Sequence, residues 1–251
     1  MAHKFIDDIR RQVESSIPTS SGIVSKVIKI IYDKSSGASD IAEILKHDPP
    51  LSAKVLKVAN SAYYGSSSTI TSLQRAVVAL GFNTIKEVVT TVSMAHYFSQ
   101  SENGDGIDRR GLWLHSVGTA KAAQFIAEGT GSERPDVAYL VGLLHDIGKI
   151  LLVLTFPSHY SRVIGYALEN KIRILFAERK ILNIDHTMIG KLLCDMWSLP
   201  DEISTAILYH HDPMEVPKGS QRLARITEFA DFMCRKAQIG FPGDAVTVKP
   251  S

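Results

Sequence analysis

The chain reads as all-α, built from two helical blocks. Three observations predict this. Apolar residues recur at helical spacing through most of the 251 residues. No convincing run of period two appears outside the C-terminal tail. One polar, glycine-containing break, SQSENGDGID at residues 99–108, separates the two blocks as a linker or long loop.

Taken in order, Ile23, Val27, Ile30 and Ile31 fall on one helical face. Ile41, Ile44 and Leu45 repeat the stripe behind a Ser39–Asp40 cap. Pro49 and Pro50 start the next helix, whose stripe is Leu51, Val55, Leu56 and Ala59. In ANSAYYG, Asn60 and Ser61 suit a helix end, Gly65 closes the turn, and Tyr63 and Tyr64 pack at the junction of the blocks. A ligand or partner groove is the other reading of that segment. Ile85, Val88, Val89 and Val92 line a further helix.

Beyond the break, GLWLHSVGTAKAAQFIA predicts a helix from about Asp108. DVAYLVGLLHDIGKILLVL predicts a buried helix with His145 and Asp146 in its middle. His159 follows a helix end as a surface or capping residue. His186 opens the helix of DHTMIGKLLCDMW, His210 and His211 end the one begun at Pro200, and Asp231 lies on amphipathic RLARITEFADFMCRKA. GFPGDAVTVKPS is expected to be loose. The division is therefore residues 1–107, residues 108–240, and a flexible tail, 241–251.

Composition narrows the function. An apolar fraction of 45%, a charged fraction of 22% and a net charge of +2 are those of an ordinary soluble globular protein. No basic stripe appears, so direct nucleic-acid binding is not expected. The N-terminal MAHKFIDDIRRQVESS has no apolar signal-peptide core. The longest apolar stretch, around 137–156, is interrupted by His145, Asp146 and Lys149, and no membrane span is expected. Cys194 and Cys234 form no CxxC, which fits buried thiols in a reducing cytoplasm.

The chemistry-bearing residues concentrate in the second block: His115, His145, Asp146, His186, His210, His211 and Asp231. Imidazoles and carboxylates are ligands for divalent Zn, Mn, Fe or Ni, and helix bundles build such sites from inward positions. Neighbouring helical residues point about 100° apart, so His145 and Asp146 flank one point beside their helix. A carboxylate there can bridge two ions. Lys149 shares their face and sets an ammonium where a phosphate oxygen fits. The competing readings are bland: a buried histidine satisfied by hydrogen bonds, a C-terminal pair favoured by the helix dipole, and Glu178 as an ion-pair partner. A buried Asp146 is harder to dismiss, because burying a lone carboxylate costs several kcal/mol.

HDIGK, after two leucines and with a helical histidine upstream, resembles the HD superfamily of metal-dependent phosphohydrolases. DPPLSAKVLKVANSAYYG, SLQRAVVALGFNTIKEVV, Glu178 with DHTMIGKLLCDMWSLP, and ILYHHDP resemble the HDOD family of bacterial signalling proteins, over roughly residues 14–235. The resemblance implies an N-terminal helical subdomain and a C-terminal HD-type bundle. It matches His115, His145, Asp146 and Asp231 to the basic HD metal set. His186, His210 and His211 match the further ligands of HD-GYP phosphodiesterases, and Lys149 the lysine of HDxGK. No GYP follows His210–His211; the chain continues DPMEVPKGS. The expected function is a cytoplasmic regulatory protein with a partner protein to find, one or two metal ions and weak or no catalysis, with Asp146 and Lys149 central to any catalysis. The alternative is a metal-dependent phosphohydrolase acting on a nucleotide or nucleotide second messenger.

Overall fold

The computed structural model describes residues 11–12, 26–27, 29–30, 33, 35–64, 69–99, 108–216 and 221–251, with no side chains for 96–99. No strand occurs among these residues. Ile23, Ile31, Gly65, the His96 side chain and nearly all of the 99–108 break lie outside them. The chain divides into two compact units: Ser20–His96, and a second that includes Tyr97–Ser251.

The first unit holds α1 (Ala38–Lys46), α2 (Pro49–Ala59), α3 (Leu73–Leu80) and most of α4 (Phe82–Ser99). Its core is the predicted stripes brought together: Val27, Ile41, Leu45, Leu51, Val55, Ala59, Ile85, Val88 and Val89 are all buried. The start of α1 differs from expectation. Gly37 is the N-cap, and Asp40 reaches back to accept its N–H at 2.7 Å, so the carboxylate satisfies a donor that has no partner within the helix. Asp48 caps α2 by accepting from Leu51 N–H at 2.9 Å. Asn60 is structural: its amide donates to Leu56 O and Ile70 O and accepts from Ile70 N–H, tying the end of α2 to the residue entering α3. Tyr64 packs on this core while Tyr63 is 76% exposed. His47 is exposed beside Glu43.

The second unit contains α5 (Arg109–Thr130), α6 (Pro135–Leu144), α7 (Ile147–Thr155), α8 (Pro157–Asn170), α9 (Ile174–Leu182), α10 (His186–Met196), α11 (Asp201–Leu208), a 3-10 turn at Pro213–Glu215, and α12 (Gln221–Lys236). Helix α5 packs on α6 and α12, α7 on α10, and α11 on both α6 and α12. Thus α5, α6, α7, α10, α11 and α12, with the turns that follow α6 and α11, enclose one centre. Pro135–Thr155 is long and apolar enough to cross a membrane, yet 94% of its most apolar window is buried inside the protein. It is the core of the unit. Cys194 and Cys234 are buried free thiols, and burial pushes the Cys194 thiol up to about 12. His159 is exposed on the first turn of α8.

Two sequence expectations give way here. The stretch through His145 is not one helix: α6 ends at Leu144, His145 and Asp146 form a turn, and α7 begins at Ile147. The all-apolar surroundings hid the turn, since a segment buried on every side shows no polar face to change phase. Nor is the tail loose through Asp244. Pro242, Gly243 and Asp244 are buried, and Phe241 N–H donates to Gly111 O at 3.0 Å.

Candidate metal centre

The turn between α6 and α7 is the floor of the centre. Asp146 leaves helical geometry there, at φ −101° and ψ 10°, while His145 keeps helical angles; their side chains are 3% and 0% exposed, respectively. Gly148, one turn later, sets how near α10 comes: a Cβ there would collide with the His186 carbonyl. Only glycine lets α7 lie against the start of α10, which brings His186 to Asp146. Asp185 caps α10 by accepting from Thr187 and Met188 N–H. His186 therefore occupies the first position of a fixed helix end.

Asp146 is the hub, and its two oxygens face different histidines. Oδ1 lies 3.4 Å from His186 Nε2 and 3.9 Å from His210 Nε2. Oδ2 lies 3.3 Å from His145 Nε2 and 4.0 Å from His115 Nε2, and accepts from Lys149 Nζ at 2.7 Å. Two clusters of potential ligands result. Asp146, His186, His210 and His211 form one; His115, His145 and Asp146 form the other; within each, the ligand atoms lie within 4.8 Å of one another. Two atoms on one ion at about 2.1 Å, seen at near-tetrahedral or right angles, are roughly 3.0–3.4 Å apart. His186 Nε2 and His211 Nε2 are 3.1 Å apart, within that range.

The outer nitrogens are already committed. His145 Nδ1 lies 2.8 Å from Gly142 O and His210 Nδ1 2.7 Å from Ile207 O. A carbonyl only accepts, so each Nδ1 carries a proton, and the His210 ring, kept neutral by burial, turns its Nε2 lone pair inward. His186 Nδ1 meets Glu178 Oε2 at 2.6 Å; that carboxylate also takes His186 backbone N–H and the Tyr160 hydroxyl, which donates at 2.6 Å. Glu178 is thus the fully buried support of one ligand, as a carboxylate behind a metal-binding imidazole commonly is. Inside, His145 Nε2, His210 Nε2 and Asp146 Oδ1 are buried without a hydrogen bond. Buried polar atoms are costly to leave unmatched, and these three converge on the space that Asp146 shares with the imidazoles. The donor set fits a divalent metal.

Electrostatics agree. Burial, reinforced by neighbouring imidazoles, drives His210 and His211 well below the usual histidine range, so both are neutral and able to ligate. Burial also lowers His115, against the pull of Asp231. His145 is opposed by burial but raised by the adjacent Asp146. Burial opposes ionisation of Asp146, yet His145 and Lys149 hold it well below the carboxylate range.

Asp231 falls outside both clusters, beside His115, and Lys149 is paired with Asp146. Asp231 Oδ1 sits 2.8 Å from His115 Nε2, and Arg235 Nε grips both its oxygens at 2.9 and 3.0 Å. Burial opposes its charge, but Arg235 and His115 hold Asp231 far below its usual range. His115 Nδ1 also lies 3.3 Å from Ile239 O. Both contacts would need a proton on each nitrogen, which burial disfavours; a cation beside Nε2 and Asp231 would resolve this. Lys149 is fully buried and donates to Asp146 and, at 3.0 Å, to Pro242 O. A cleft of about 210 Å³ borders His211 and Asp231, and Arg173, Arg235, Glu228 and Val246 also line it.

Sequence reasoning missed Arg235, Asp244, Ile239 and Pro242. The i, i+4 spacing of Asp231 and Arg235 was a usable signal for one of them. The others reach the centre through the tail, which carries no helical periodicity.

The HDOD domain profile matches residues 17–213. A solved structure of an HDOD domain protein with unknown function from Geobacter sulfurreducens superposes with a TM-score of 0.83 at 31% identity, covering 97% of this chain and 81% of that one. A presumed phosphohydrolase of Shewanella amazonensis SB2B superposes with a TM-score of 0.75 at 25% identity, over 92% of this chain and 81% of that one. An uncharacterized protein of Treponema pallidum (strain Nichols) is 23% identical over 87% of this chain, which spans 42% of that relative's length. The chain spans 26% of a second curated relative, the uncharacterized protein YuxH of Bacillus subtilis (strain 168).

Proposed function

The chain belongs to the HDOD domain family, and on that premise we propose that it is a bacterial, cytoplasmic regulatory module of signal transduction. Its centre holds two divalent transition-metal ions, one in each cluster around Asp146, in a structural or sensory role with weak or no turnover. A partner protein on its helical surfaces receives the signal. One observation carries this reading: the centre is closed. Five of the six clustered ligands are at most 2% exposed, Lys149 is bound to Pro242 rather than directed at solvent, and the adjoining cleft of about 210 Å³ falls below the roughly 300 Å³ at which ligand pockets begin.

A second reading has its own support. Two ligand clusters sharing a carboxylate resemble two-metal phosphohydrolase sites, where bound ions activate a water and polarise a phosphoryl oxygen. On that reading a nucleotide or nucleotide second messenger is the substrate. The solved Shewanella amazonensis SB2B relative described as a presumed phosphohydrolase favours it.

The deciding experiment measures metal content by elemental mass spectrometry on untagged wild type and Asp146→Ala, together with hydrolysis of a nucleotide panel. The expected result is about two ions per wild-type chain, loss of both in the variant, and hydrolysis at background. Robust turnover abolished by Asp146→Ala would establish the enzyme instead. A folded wild type that takes up no divalent metal would overturn the metal assignment.

A further inference from the structure

Residues 239–244 run beside the centre and are tied to it or to its supports at several points. Ile239 O faces His115 Nδ1, and Phe241 N–H donates to Gly111 O on the same helix. Pro242 O receives Lys149 Nζ. Asp244 is 3% exposed; its Oδ2 accepts from Ile174 N–H and its Oδ1 from Val246 N–H and Arg235 Nη1, each at 2.9 Å. Arg235 uses its Nε on Asp231. An unbroken chain therefore runs from Asp244 through Arg235 and Asp231 to His115.

The path of this strap is fixed by backbone geometry. Gly240 and Gly243 have φ of 68° and 102°, which other residues adopt only with strain. A Cβ on Gly240 would collide with Gly111 O and the His115 backbone. On α5, a Cβ at Gly118 would come within 2.6 Å of Ile239, and one at Gly111 within 2.9 Å of Phe241. The helix that carries His115 is bared on the side the strap covers. All of these strap contacts come from residues beyond 213, where the family match ends.

We propose that the strap Ile239–Asp244 is a working part of the metal centre, with Asp244 and Arg235 as positioning residues that set metal affinity on the His115 side. The proposal rests on the metal assignment made above. When the strap is docked, Ile239 orients the His115 ring and Arg235, itself held by Asp244, fixes the Asp231 carboxylate against His115 Nε2. When it lifts, Arg235 loses its second anchor, His115 loses its backbone acceptor, and Lys149 is released from Pro242. His186 and His210 are held by Glu178 and Ile207 O instead, away from the strap, and that side is expected to change least.

The test uses the full chain and two variants that disturb the strap by different means. Asp244→Asn removes the charge that holds Arg235; Gly240→Ala places a methyl group against the His115 backbone. Amide exchange is read in metal-free protein, and Zn2+ affinity by calorimetric titration. In both variants, exchange at Phe241 is expected to accelerate at least tenfold, and one Zn2+ binding event to weaken about 10- to 100-fold, the usual effect of losing an outer-shell partner, while the other is unchanged. Unchanged exchange at Phe241 would overturn the strap, and faster exchange with both Zn2+ events unaltered would overturn its coupling to the metal. Equal weakening of both events would mean general loosening and also defeat the assignment. If wild type bound no Zn2+, the metal assignment would fail by itself. The strap would then be judged on the His115 ring-nitrogen shifts of metal-free protein, which must move in both variants if it positions that ring.

Discussion

Lys149 and Asp146 form a buried ion pair that can be taken apart one charge at a time. In Asp146→Ala, Lys149 keeps only Pro242 O as a partner while remaining 0% exposed. An uncompensated buried charge costs about 3–5 kcal/mol, which corresponds to a fall in Tm of roughly 6–20 °C for a unit of this size. In Lys149→Met the carboxylate is left, but His145 and His186, which also help to hold its charge, remain within 3.4 Å, so the expected loss is smaller, about 1–3 kcal/mol. Asp146→Ala combined with Lys149→Met removes both charges and leaves neither stranded. Its cost should fall short of the summed single costs by about 2 kcal/mol or more, because the penalty in Asp146→Ala is mostly the orphaned ammonium. The assay is urea unfolding of the three variants and wild type with chelator present, so that bound metal does not add to stability. Additivity within about 0.5 kcal/mol would refute the reasoning; Lys149 would then have found water or another partner, and the pair would not be a closed unit.

Three further outcomes follow from the geometry. Glu178→Gln weakens the carboxylate behind His186 Nδ1 and is expected to lower metal affinity of the His186–His210–His211 cluster by about 10- to 100-fold, leaving the His115 side intact; competition with a metallochromic chelator reads this, and equal loss at both clusters would contradict it. Gly148→Ala forces α7 away from the His186 carbonyl and should cost about 1–3 kcal/mol in chemical denaturation, together with metal loss at His186; a neutral effect would mean that α10 shifts freely. Lowering the pH from 7 to 5 should destabilise the metal-free protein. His115, His210 and His211 sit below the usual histidine range, so the unfolded chain takes up their protons first as the pH falls through about 6.5. His145, held above that range, works in the opposite sense: its contribution is present below about 6.5 and fades as the pH rises through its raised value. Below about 6.5 His145 is protonated in both states and drops out, so the other three set a slope that rises to about 4 kcal/mol per pH unit, whereas the stability linked to Asp146 and Asp231 is lost only below the carboxylate range. Urea midpoints at pH 7, 6 and 5 that stay flat or rise would refute the sign.

The sequence by itself determined the helices and the residues that bear the chemistry. Stripes such as Ile41–Leu45 and Ile85–Val88–Val89 are local properties of the chain, and they became the buried cores they suggested. The resemblance in HDIGK and ILYHHDP singled out Asp146 and its histidines for the same reason: short motifs keep their spacing within one or two turns of helix. Tertiary structure alone decided what meets what. His115 lies 116 residues from Asp231 and 124 from Ile239, and Lys149 lies 93 from Pro242. Periodicity gives the face a side chain occupies on its own helix, not the face opposite. The break at His145–Asp146 was hidden because its surroundings are apolar on every side, and the split of the Asp146 oxygens between two clusters needs histidines from helices far apart in the chain. The tail showed nothing because a strap held by backbone carbonyls, two positive-φ glycines and one buried carboxylate needs no repeating pattern; its stability comes from partners a hundred residues away.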